Sequence, residues 1–404
     1  MKLSEILDVV ETQRVVLKRQ AQGLLRKALE SLPDIQSYAL VITGIRRCGK
    51  STLLRQFVQK LGREFIYLSF DDLRFWDFSP SDYQLLDKII EDAGCGLLFF
   101  DEIQSAPQWE LYIRQKLDQG FQVLVTGSNA SLLSRELGSR LTGRHISREL
   151  FPFSYGEYCQ FTGQTPGAAS LERYLEQGGF PEYLKTGSEE LLAQLQTDII
   201  YRDIAGRHGL RDASSLLRLY TYLVSNAAQL VSPSKLAPAV GVKSPTTILE
   251  YFSYFEASYL IALIPCFSWS AKAQSLAPKK LYIVDSGIIK TGSRSFTSNY
   301  GALLENFVFN SLRLQTSDIF YFADKTGECD FVINPHSVAP LCIQVCWELD
   351  TDNQDREIQG ILAALDFFNR DEGVILTYNS RDLIIREGKR ISVIPAWEYS
   401  YETV

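Results

Sequence analysis

The spacing of apolar positions changes near residue 37 from a helical rhythm to a strand-like one. Before that point, apolar side chains recur every three or four residues, which predicts one or two amphipathic helices within 3–31. After it, five short apolar runs alternate with amphipathic stretches. The runs predict strands at 38–43, 65–70, 97–100, 122–126 and 146–150, separated by helices at 50–61, 82–92, 108–118 and 129–137. Continuous apolar strands alternating with helices indicate a parallel sheet covered on both faces.

The pattern changes twice more along the chain. From 151 to about 228 the spacing is helical and no strand is predicted. Residues 233–285 combine two short helical pieces with two apolar segments, 259–266 and 281–284, which could pair as a hairpin. The last hundred or so residues return to a mixture of strands and helices. The expected fold class is therefore α/β, with several domains.

Composition limits the kind of protein and its partners. The chain has 404 residues, 46% apolar and 22% charged, as in soluble globular proteins of two to four domains. Its net charge of −7 means that any nucleic-acid contact requires a local basic face. The charged first 20 residues argue against a signal peptide, and no apolar stretch is long enough for a membrane span. Seven scattered cysteines and three histidines predict reduced thiols, no structural zinc and a cytoplasmic location.

The segment GIRRCGKST, residues 44–52, directly follows the first predicted strand and fits the spacing G-x-x-x-x-G-K-[ST]. Glycines at these positions let backbone N–H groups surround phosphate oxygens, the lysine neutralises the outer phosphates, and the hydroxyl ligates Mg²⁺. An ordinary glycine-rich turn is the alternative, but the position between a strand and a helix favours ATP and Mg²⁺ binding. The predicted nucleotide-binding residues are consecutive: Gly44, Ile45, Arg46, Arg47, Cys48, Gly49, Lys50, Ser51 and Thr52.

Polar residues at the ends of the next strands predict the chemistry. Asp101 and Glu102 end a fully apolar strand, where an Asp can hold Mg²⁺ together with Ser51 and a Glu can polarise the attacking water. Two solvated acids at a strand end are the alternative. Asn129, after the strand that ends in Thr126, is predicted to reach the γ-phosphate or the attacking water, although it could simply cap a helix.

Two arginines, Arg140 and Arg144, precede the fifth predicted strand. An arginine supplied by a neighbouring subunit can stabilise the charge that develops during phosphoryl transfer. Both arginines are therefore candidates for such a role in a homo-oligomer. Exposed arginines are more often only solvated, and that alternative stays open.

These motifs together resemble the AAA+ class of P-loop ATPases, and more narrowly a prokaryotic AAA-type family fused to a C-terminal domain of unknown function. The phrases that carry the resemblance are TGSNASLL, LTGR, LFPFSYGEY, GGFPEYL and YRDIAGRHGLRD, and it covers nearly the whole chain. It implies a P-loop ATPase core with a helical lid. In related ATPases a G-x-P motif on a lid helix approaches the nucleotide, which makes Pro181 a candidate; a proline that only opens a helix is the alternative. A P-loop small-molecule kinase fits less well, because Glu102 suits water rather than a substrate hydroxyl.

Four segments are predicted: N-terminal helices with the ATPase core at 1–150, the lid at 151–209, a winged helix at 210–292 and a restriction-endonuclease-like domain at 293–404. Helix-turn-helix order followed by a hairpin predicts the winged helix. Between Arg211 and Lys290, eight Lys or Arg oppose four Asp or Glu, so this segment carries +4 and suits DNA phosphates. A winged helix that serves only for packing is the alternative.

The last segment has the residue order of a nuclease but lacks two of its groups. Glu305 lies on a predicted helix and Asp330 on a hairpin, whereas Gln344 and Cys346 stand where a metal-binding acid and a lysine are needed. Lys325 lies on the hairpin turn, and nothing in the sequence places it in the site. The prediction is a Mg²⁺-dependent ATPase that acts on or with DNA and does not cleave it. The alternatives are an ATP-driven switch that binds a protein partner, and an active nuclease.

Overall fold

The computed structural model describes residues 1–34, 36–129, 143–210, 212–293 and 299–403. The chain divides into two compact units. Unit 1 comprises Met1–Phe151 and Ala257–Tyr259, and unit 2 comprises Pro152–Glu256 and Leu260–Val404. None of the described helices is both long and apolar enough to cross a membrane.

Unit 1 is built on a five-stranded sheet in which every strand pair is parallel, as the apolar pattern predicts. The strands, in the spatial order β2-β3-β4-β1-β5, are β1 Ala39–Thr43, β2 Phe65–Ser69, β3 Leu97–Asp101, β4 Gln122–Gly127 and β5 His145–Glu149. The described helices are α1 Leu3–Arg19, α2 Lys50–Leu61, α3 Tyr83–Ala93 and α4 Trp109–Asp118. The five predicted strands agree with these bounds to within one residue at each end. The predicted helix over 129–137 lies, except for its first residue, outside the described residues.

The central strands of this sheet are buried along their whole length. All residues of β1, β3 and β4 are buried, because helices cover both faces of the sheet. Burial of a Leu or Phe side chain from these strands contributes roughly 2–3 kcal/mol. At the sheet edge, Gln13 of α1 exchanges two hydrogen bonds with the backbone of Ser69, of 3.0 and 2.8 Å. This contact closes the free edge of β2 and fixes α1 against the sheet.

Unit 2 begins with helices, as its apolar spacing predicts. They are α5 Tyr155–Thr162, α6 Ala168–Gln177, α7 Pro181–Thr186, α8 Glu189–Asp198 and α9 Ser214–Ser225. Between α8 and α9 the segment Ile199–Gly206 is a π-helix, a wider winding that the apolar pattern does not reveal.

A small three-stranded sheet follows in unit 2. Its strands are β6 Leu230–Val231, β7 Ile261–Ile264 and β8 Lys279–Ile283, in the order β6-β8-β7, and its helices are α10 Pro233–Ala239, α11 Pro245–Ala257, α12 Ala271–Leu276 and α13 Ser286–Gly292. The two predicted apolar segments do pair, since β7 and β8 are antiparallel with Ile261 opposite Ile283. Strand β6 was not predicted, because two residues are too short for a periodic signal.

The C-terminal part of unit 2 is a mixed six-stranded sheet flanked by helices. The strands are β9 Ile319–Ala323, β10 Glu328–Ile333, β11 Leu341–Val345, β12 Glu372–Thr377, β13 Asp382–Arg386 and β14 Lys389–Pro395, in the order β13-β14-β12-β11-β10-β9. The helices are α14 Tyr300–Arg313, α15 Gln354–Phe367 and α16 Ala396–Thr403. Buried residues of the central strands belong to two apolar clusters. One cluster includes residues of α14, and the other includes residues of α15. We call this part the C-terminal domain.

Candidate functional site

The predicted phosphate-binding loop lies between β1 and α2, at the carboxyl edge of the parallel sheet. Gly44 has a φ of 148° and Gly49 a φ of 105°, conformations that side-chain-bearing residues rarely adopt. A Cβ atom on Gly44 would lie 2.0 Å from the carbonyl oxygen of Leu150. Glycine is therefore required there both by the backbone conformation and by the close approach of β5. A loop of this shape directs successive N–H groups toward one point and suits an anion.

Two buried side chains hold the loop against the end of β5. The Cys48 Sγ donates to the carbonyl oxygen of Leu150 at 3.3 Å, and burial raises the pKa of this thiol. Arg26 donates to the carbonyl oxygen of Cys48 at 2.9 Å and to that of Phe151 at 2.8 Å. Arg26 was missed in the sequence, because it lies 22 residues before Cys48 and no motif marks it.

Lys50 is the first residue of α2, and its ammonium lies inside the loop. Its Nζ donates to the carbonyl oxygens of Gly44 and Ile45, both at 3.1 Å, and lies 3.7 Å from Glu102 Oε1. The side chain is only 3% exposed. A buried ammonium at a helix N-terminus, beside inward-facing N–H groups, provides strong positive charge for a phosphate.

Ser51 and Asp101, the predicted metal ligands, are in direct contact. The Ser51 Oγ donates to Asp101 at 2.8 Å from Oδ1 and 3.0 Å from Oδ2. Tyr67 of β2 donates to Oδ2 at 3.1 Å, and Thr126 of β4 donates to Oδ1. Burial, and then the charge of Glu102, raise the pKa of Asp101, and the three hydroxyl donors oppose that rise.

This oxygen pair fits a magnesium ion. Mg²⁺ prefers oxygen ligands and usually takes only one or two from protein, with the rest supplied by water and substrate phosphates. Ser51 Oγ and an Asp101 oxygen are such a pair. Among the described residues, no group of three or more His, Cys, Asp or Glu is placed to hold a metal ion.

Glu102 has an unusual backbone conformation, with a φ of 48° and a ψ of 45°. This left-handed conformation is uncommon for a non-glycine residue and is frequent at functional sites. The backbone N–H of Glu102 donates to Thr126 Oγ1 at 3.0 Å, which holds the turn. Burial acts to raise the pKa of the carboxyl, but Lys50, with Gln104 and Ser128 as hydrogen-bond donors, brings the pKa below its ordinary value. Glu102 is therefore ionised at neutral pH.

Gln104 and Ser128 lie beside this carboxylate. The predicted Asn129 is 2% exposed and lies two residues after the end of β4. Gln104, which was not predicted, donates to Glu102 Oε2 and to Ser128 Oγ, the latter at 3.4 Å. Its Oε1 is buried and has no hydrogen-bond partner among the described residues. The site thus presents a carboxylate and an amide oxygen next to each other.

The other predicted loop residues differ in exposure. Ile45 is fully buried under the loop. Arg46 forms an ion pair of 3.0 Å with Asp71, which follows β2. Arg47 is exposed with a φ of 64°, and Thr52 is half-buried in the first turn of α2. Arg46 is thus the loop residue that connects the phosphate-binding loop to the segment after β2.

Arg144 lies just before β5, at the amino edge of the sheet. Its carbonyl oxygen accepts a hydrogen bond of 3.1 Å from Ala39 N, and its guanidinium forms an exposed ion pair with Asp118. The phosphate-binding loop leaves the opposite edge, because Ala39 is paired with His145 and Thr43 with Glu149. Arg144 is therefore at the opposite end of β5 from the phosphate loop. Arg140 lies outside the described residues.

Pro181 is the first residue of α7, as expected of a proline that opens a helix. Two glycines shortly before it make close contacts: a Cβ atom on Gly179 would lie 2.2 Å from the carbonyl oxygen of Phe153, and Gly178 approaches Asp285, which follows β8. The Gly179 N–H donates to Asp285 Oδ2 at 2.6 Å, and a Cβ atom on Gly178 would lie 2.0 Å from Asp285 Oδ1. An approach of Pro181 to the nucleotide remains a prediction.

The predicted nuclease-like residues meet in the C-terminal domain. The backbone N–H of Asp330 donates to Gln344 Oε1 at 3.2 Å, and the Gln344 amide donates to Glu357 Oε2 at 2.7 Å. Cys346 is buried, and burial raises its pKa to about 12, so it stays a neutral thiol. Two cations reach these residues: Lys280 of β8, whose Nζ lies 2.6 Å from Asp330 Oδ1, and Arg356, which forms an ion pair with Glu357. Sequence reasoning missed Lys280, and Lys325 is exposed on its turn.

Two family models match the chain. One, described as an AAA domain, matches residues 36–159, and the other, described as a domain of unknown function (DUF8612), matches residues 168–297. An uncharacterized protein of Methanocaldococcus jannaschii is 33% identical over 391 residues, which span 89% of this chain and 87% of the archaeal protein. The chain belongs to the family of that protein. Unit 1 contains most of the residues matched by the AAA domain model, and we call it the AAA unit.

Other similar proteins share less. An uncharacterized protein of Haemophilus influenzae is 28% identical over 339 residues, 78% of this chain and 84% of that protein. The Walker-type ATPase PABY2304 of Pyrococcus abyssi has a TM-score of 0.43 at 16% identity, covering 68% of this chain and 99% of its own. The RuvB Holliday junction branch migration motor of Thermotoga maritima has a TM-score of 0.29 at 17% identity, covering 62% and 88%. TM-scores below 0.5 are too low to support a functional argument.

Proposed function

We propose that the AAA unit binds ATP with Mg²⁺ and hydrolyses it at the phosphate-binding loop. The observation that carries the proposal is the convergence of two contacts at one sheet edge. Lys50 lies 3.7 Å from Glu102, and Ser51 lies 2.8 Å from Asp101. In this proposal Lys50 is the phosphate-binding cation, Ser51 and Asp101 are the oxygen ligands for Mg²⁺, and Glu102 is the ionised base. They belong to the first turn of helix α2 and the end of strand β3.

Each side chain has a distinct role in this proposal. The loop N–H groups and Lys50 bind the phosphates, and Ser51 and Asp101 would hold Mg²⁺, which supplies charge neutralisation when bound. Glu102 accepts a proton from the attacking water, since its lowered pKa keeps it ionised. Gln104, whose amide donates to Glu102, has a buried Oε1 suited to orient that water, and Asn129 is proposed to assist.

Release of phosphate from ATP tests this proposal. The wild-type chain should hydrolyse ATP only with Mg²⁺, and Lys50→Ala should lose at least a hundredfold in rate, because the phosphate charge is left unpaired. Lys60→Ala is the matched control, since Lys60 lies exposed on the same helix and should leave the rate unchanged. Equal rates for Lys50→Ala and the wild type would refute the proposal.

We also propose that hydrolysis depends on assembly of a homo-oligomer. In this assembly, Arg144 and Arg140 act on the nucleotide of a neighbouring subunit. The position of Arg144 supports this, because it lies at the sheet edge opposite its own phosphate loop. The exposed ion pair with Asp118 does not prevent such a role, since a pair of this kind contributes at most about 1 kcal/mol.

DNA is the second candidate partner, through a winged helix formed by α10, α11 and the β7–β8 pair. Lys235 and Lys243 support this, because both are exposed, on α10 and in the turn before α11. The available charge is smaller than the sequence count of +4, since Lys280 is buried among carboxylates and Lys290 pairs with Glu189 at 3.0 Å. The contact would therefore rest on few phosphates.

Salt dependence of DNA binding separates this candidate from a protein-binding switch. Replacement of both Lys235 and Lys243 by Glu should weaken binding to duplex DNA and lower the slope of log K against log salt by about two. Lys88→Glu, an exposed change in the AAA unit, is the control and should leave the slope unchanged. No binding by the wild type at low salt would reject DNA and favour a protein partner.

We further propose that the C-terminal domain does not cleave DNA. Gln344 binds Glu357 instead of offering a carboxylate to a metal, and Cys346 is a neutral thiol. Glu348, which could have replaced a ligand, is exposed beyond the end of β11. Wild type and Asp330→Ala should both leave plasmid DNA intact with Mg²⁺ or Mn²⁺. Cleavage by the wild type that the variant loses would contradict this.

A further inference from the structure

A buried lysine lies among three acidic residues of the C-terminal domain. Lys280 is the second residue of β8, and its side chain is 5% exposed. Its Nζ lies 2.6 Å from Asp330 Oδ1, 3.0 Å from Glu305 Oε1 and 3.2 Å from Glu328 Oε1. The acids belong to α14 and β10, whereas the lysine belongs to the three-stranded sheet. The contact therefore connects two sheets of unit 2.

The number of hydrogen-bond donors on the Lys280 ammonium equals the number of acidic side chains around it. A lysine ammonium has three N–H donors, and three carboxylate oxygens lie around Lys280 within 3.2 Å. Two further hydrogen bonds reach these acids. Asp330 Oδ2 accepts from the backbone N–H of Val345 at 2.9 Å, and Glu305 Oε1 also accepts from the Tyr282 hydroxyl at 2.7 Å. The ammonium of Lys280 thus provides one N–H donor for each of the three acids.

The cluster places one ammonium among three acidic side chains. Burial and the charge of Asp330 raise the pKa of Glu305, against the opposing effect of Lys280, so the negative charge of Glu305 is disfavoured. Glu328 is 44% exposed, so its charge is partly solvated. A divalent cation could bind here only by displacing the ammonium from these three acids.

We propose that Glu305, Glu328 and Asp330 form an ammonium-binding site and that Lys280 fills it. The resulting ion cluster joins β8 to the C-terminal domain. It occupies the position at which nuclease chemistry would need a metal ion. A buried ion cluster specifies one arrangement of the elements that contribute to it, because any other arrangement leaves a buried charge unpaired. The C-terminal domain is then a module fixed to the three-stranded sheet.

The same strand has a second attachment at its other end. Asp285, two residues after β8, accepts hydrogen bonds from Gly179 at 2.6 Å and from Gly287 at 2.9 Å. Strand β8 therefore contacts the C-terminal domain through Lys280, and the residues just after β8 contact the segment before α7 through Asp285. The two contacts hold the three-stranded sheet, the C-terminal domain and that helical segment in one arrangement.

A catalytic role for Lys280 does not fit its surroundings. A lysine that assists phosphodiester cleavage must meet the phosphate of DNA and an attacking water. The side chains of Lys280 and Asp330 are 5% and 8% exposed, and the ammonium is already bonded to three acids. A DNA backbone cannot reach this ammonium without separation of β8 from β10.

Thermal unfolding of the full chain tests the proposal. Lys280→Met keeps much of the side-chain volume and removes the charge, so the melting temperature should fall by on the order of 10 °C. Lys279→Met is the matched control, because Lys279 is the exposed neighbour on the same strand and should shift melting by no more than about 2 °C. An unchanged melting temperature for Lys280→Met would overturn the proposal.

Chemical rescue tests the ammonium directly. Lys280→Ala removes three methylene groups and the ammonium of the lysine side chain. Propylammonium has the same three carbons and ammonium and can occupy the space left. Addition of propylammonium should recover part of the lost melting temperature of Lys280→Ala, while 1-propanol and sodium at the same concentrations should not. Recovery equal with 1-propanol would show that volume alone matters and would overturn the charge argument.

A measurement that needs no Lys280 variant covers the case in which those variants fail to fold. Mn²⁺ should produce no paramagnetic broadening of Asp330 and its neighbours in the nucleotide-free chain, because the ammonium fills the site. Asp330→Asn keeps the shape of the side chain and serves as the comparison. Broadening in the wild type that Asp330→Asn removes would establish a metal site and overturn the proposal.

Discussion

Thr126 connects the two acidic residues of the proposed ATP site, and its replacement by valine should destabilise the AAA unit. The hydroxyl is fully buried, donates to the Asp101 carboxylate, and accepts the Glu102 backbone N–H at 3.0 Å. Thr126→Val retains the shape but removes both bonds. A bond to a charged group contributes about 1.5–3 kcal/mol, and a buried N–H without a partner costs about 1–3 kcal/mol. Because the two losses share one atom, we expect a total of about 3 kcal/mol.

Thr126→Ser is the control, since it keeps the hydroxyl and loses one buried methyl group, which costs about 1 kcal/mol. Hydrogen exchange of the β3 and β4 amides measures the stability of this sheet without contribution from unit 2. Exchange should accelerate about a hundredfold in Thr126→Val and about fivefold in Thr126→Ser. Valine is the more apolar replacement, so apolar burial alone predicts the opposite order. A valine variant as protected as the serine variant would refute the role given to the hydroxyl.

Three further predictions concern other sites. Mixing Arg144→Ala with Lys50→Ala protomers should restore part of the ATPase rate, because each supplies what the other lacks; no recovery at any ratio would count against a shared site. Turnover per protomer should also rise with protein concentration. Asp285 has its pKa raised to about 6 by burial, above the unfolded value of about 3.9, so its contribution to stability is present below pH 4 and is lost as pH rises through 6. Urea unfolding should therefore show the wild type losing stability relative to Asp285→Asn over this range, and parallel curves would reject the assignment.

The AAA unit could be predicted from sequence because its signals are local. Its strands are continuous apolar runs, and the phosphate-binding loop requires residue types at fixed spacing. Since parallel strands end at one sheet edge, the sequence is enough to place Ser51, Asp101 and Glu102 together. The contacts of 2.8 Å between Ser51 and Asp101 and of 3.7 Å between Lys50 and Glu102 agree with that placement.

The residues that were missed act across long stretches of chain. Arg26 has no motif, and Thr126 begins the phrase TGSNASLL without a role being assigned to it; only the fold brings Arg26 to Cys48 and Thr126 to Asp101. Lys280 lies 50 residues before Asp330, and in the sequence it looks like one more cation of a basic segment. The charge count therefore overestimated the surface available to DNA. A count of charges cannot tell a solvated lysine from a buried one.

The most direct test of ATP hydrolysis at this site is a paired measurement on Glu102→Gln. Glutamine keeps the shape of the side chain but cannot accept the proton of the attacking water. Binding of ATP with Mg²⁺ should stay within about threefold of the wild type, because Lys50, Ser51 and Asp101 are unchanged, while single-turnover hydrolysis should be at least a hundredfold slower. Hydrolysis by Glu102→Gln at the wild-type rate would contradict the assignment of Glu102 as the base.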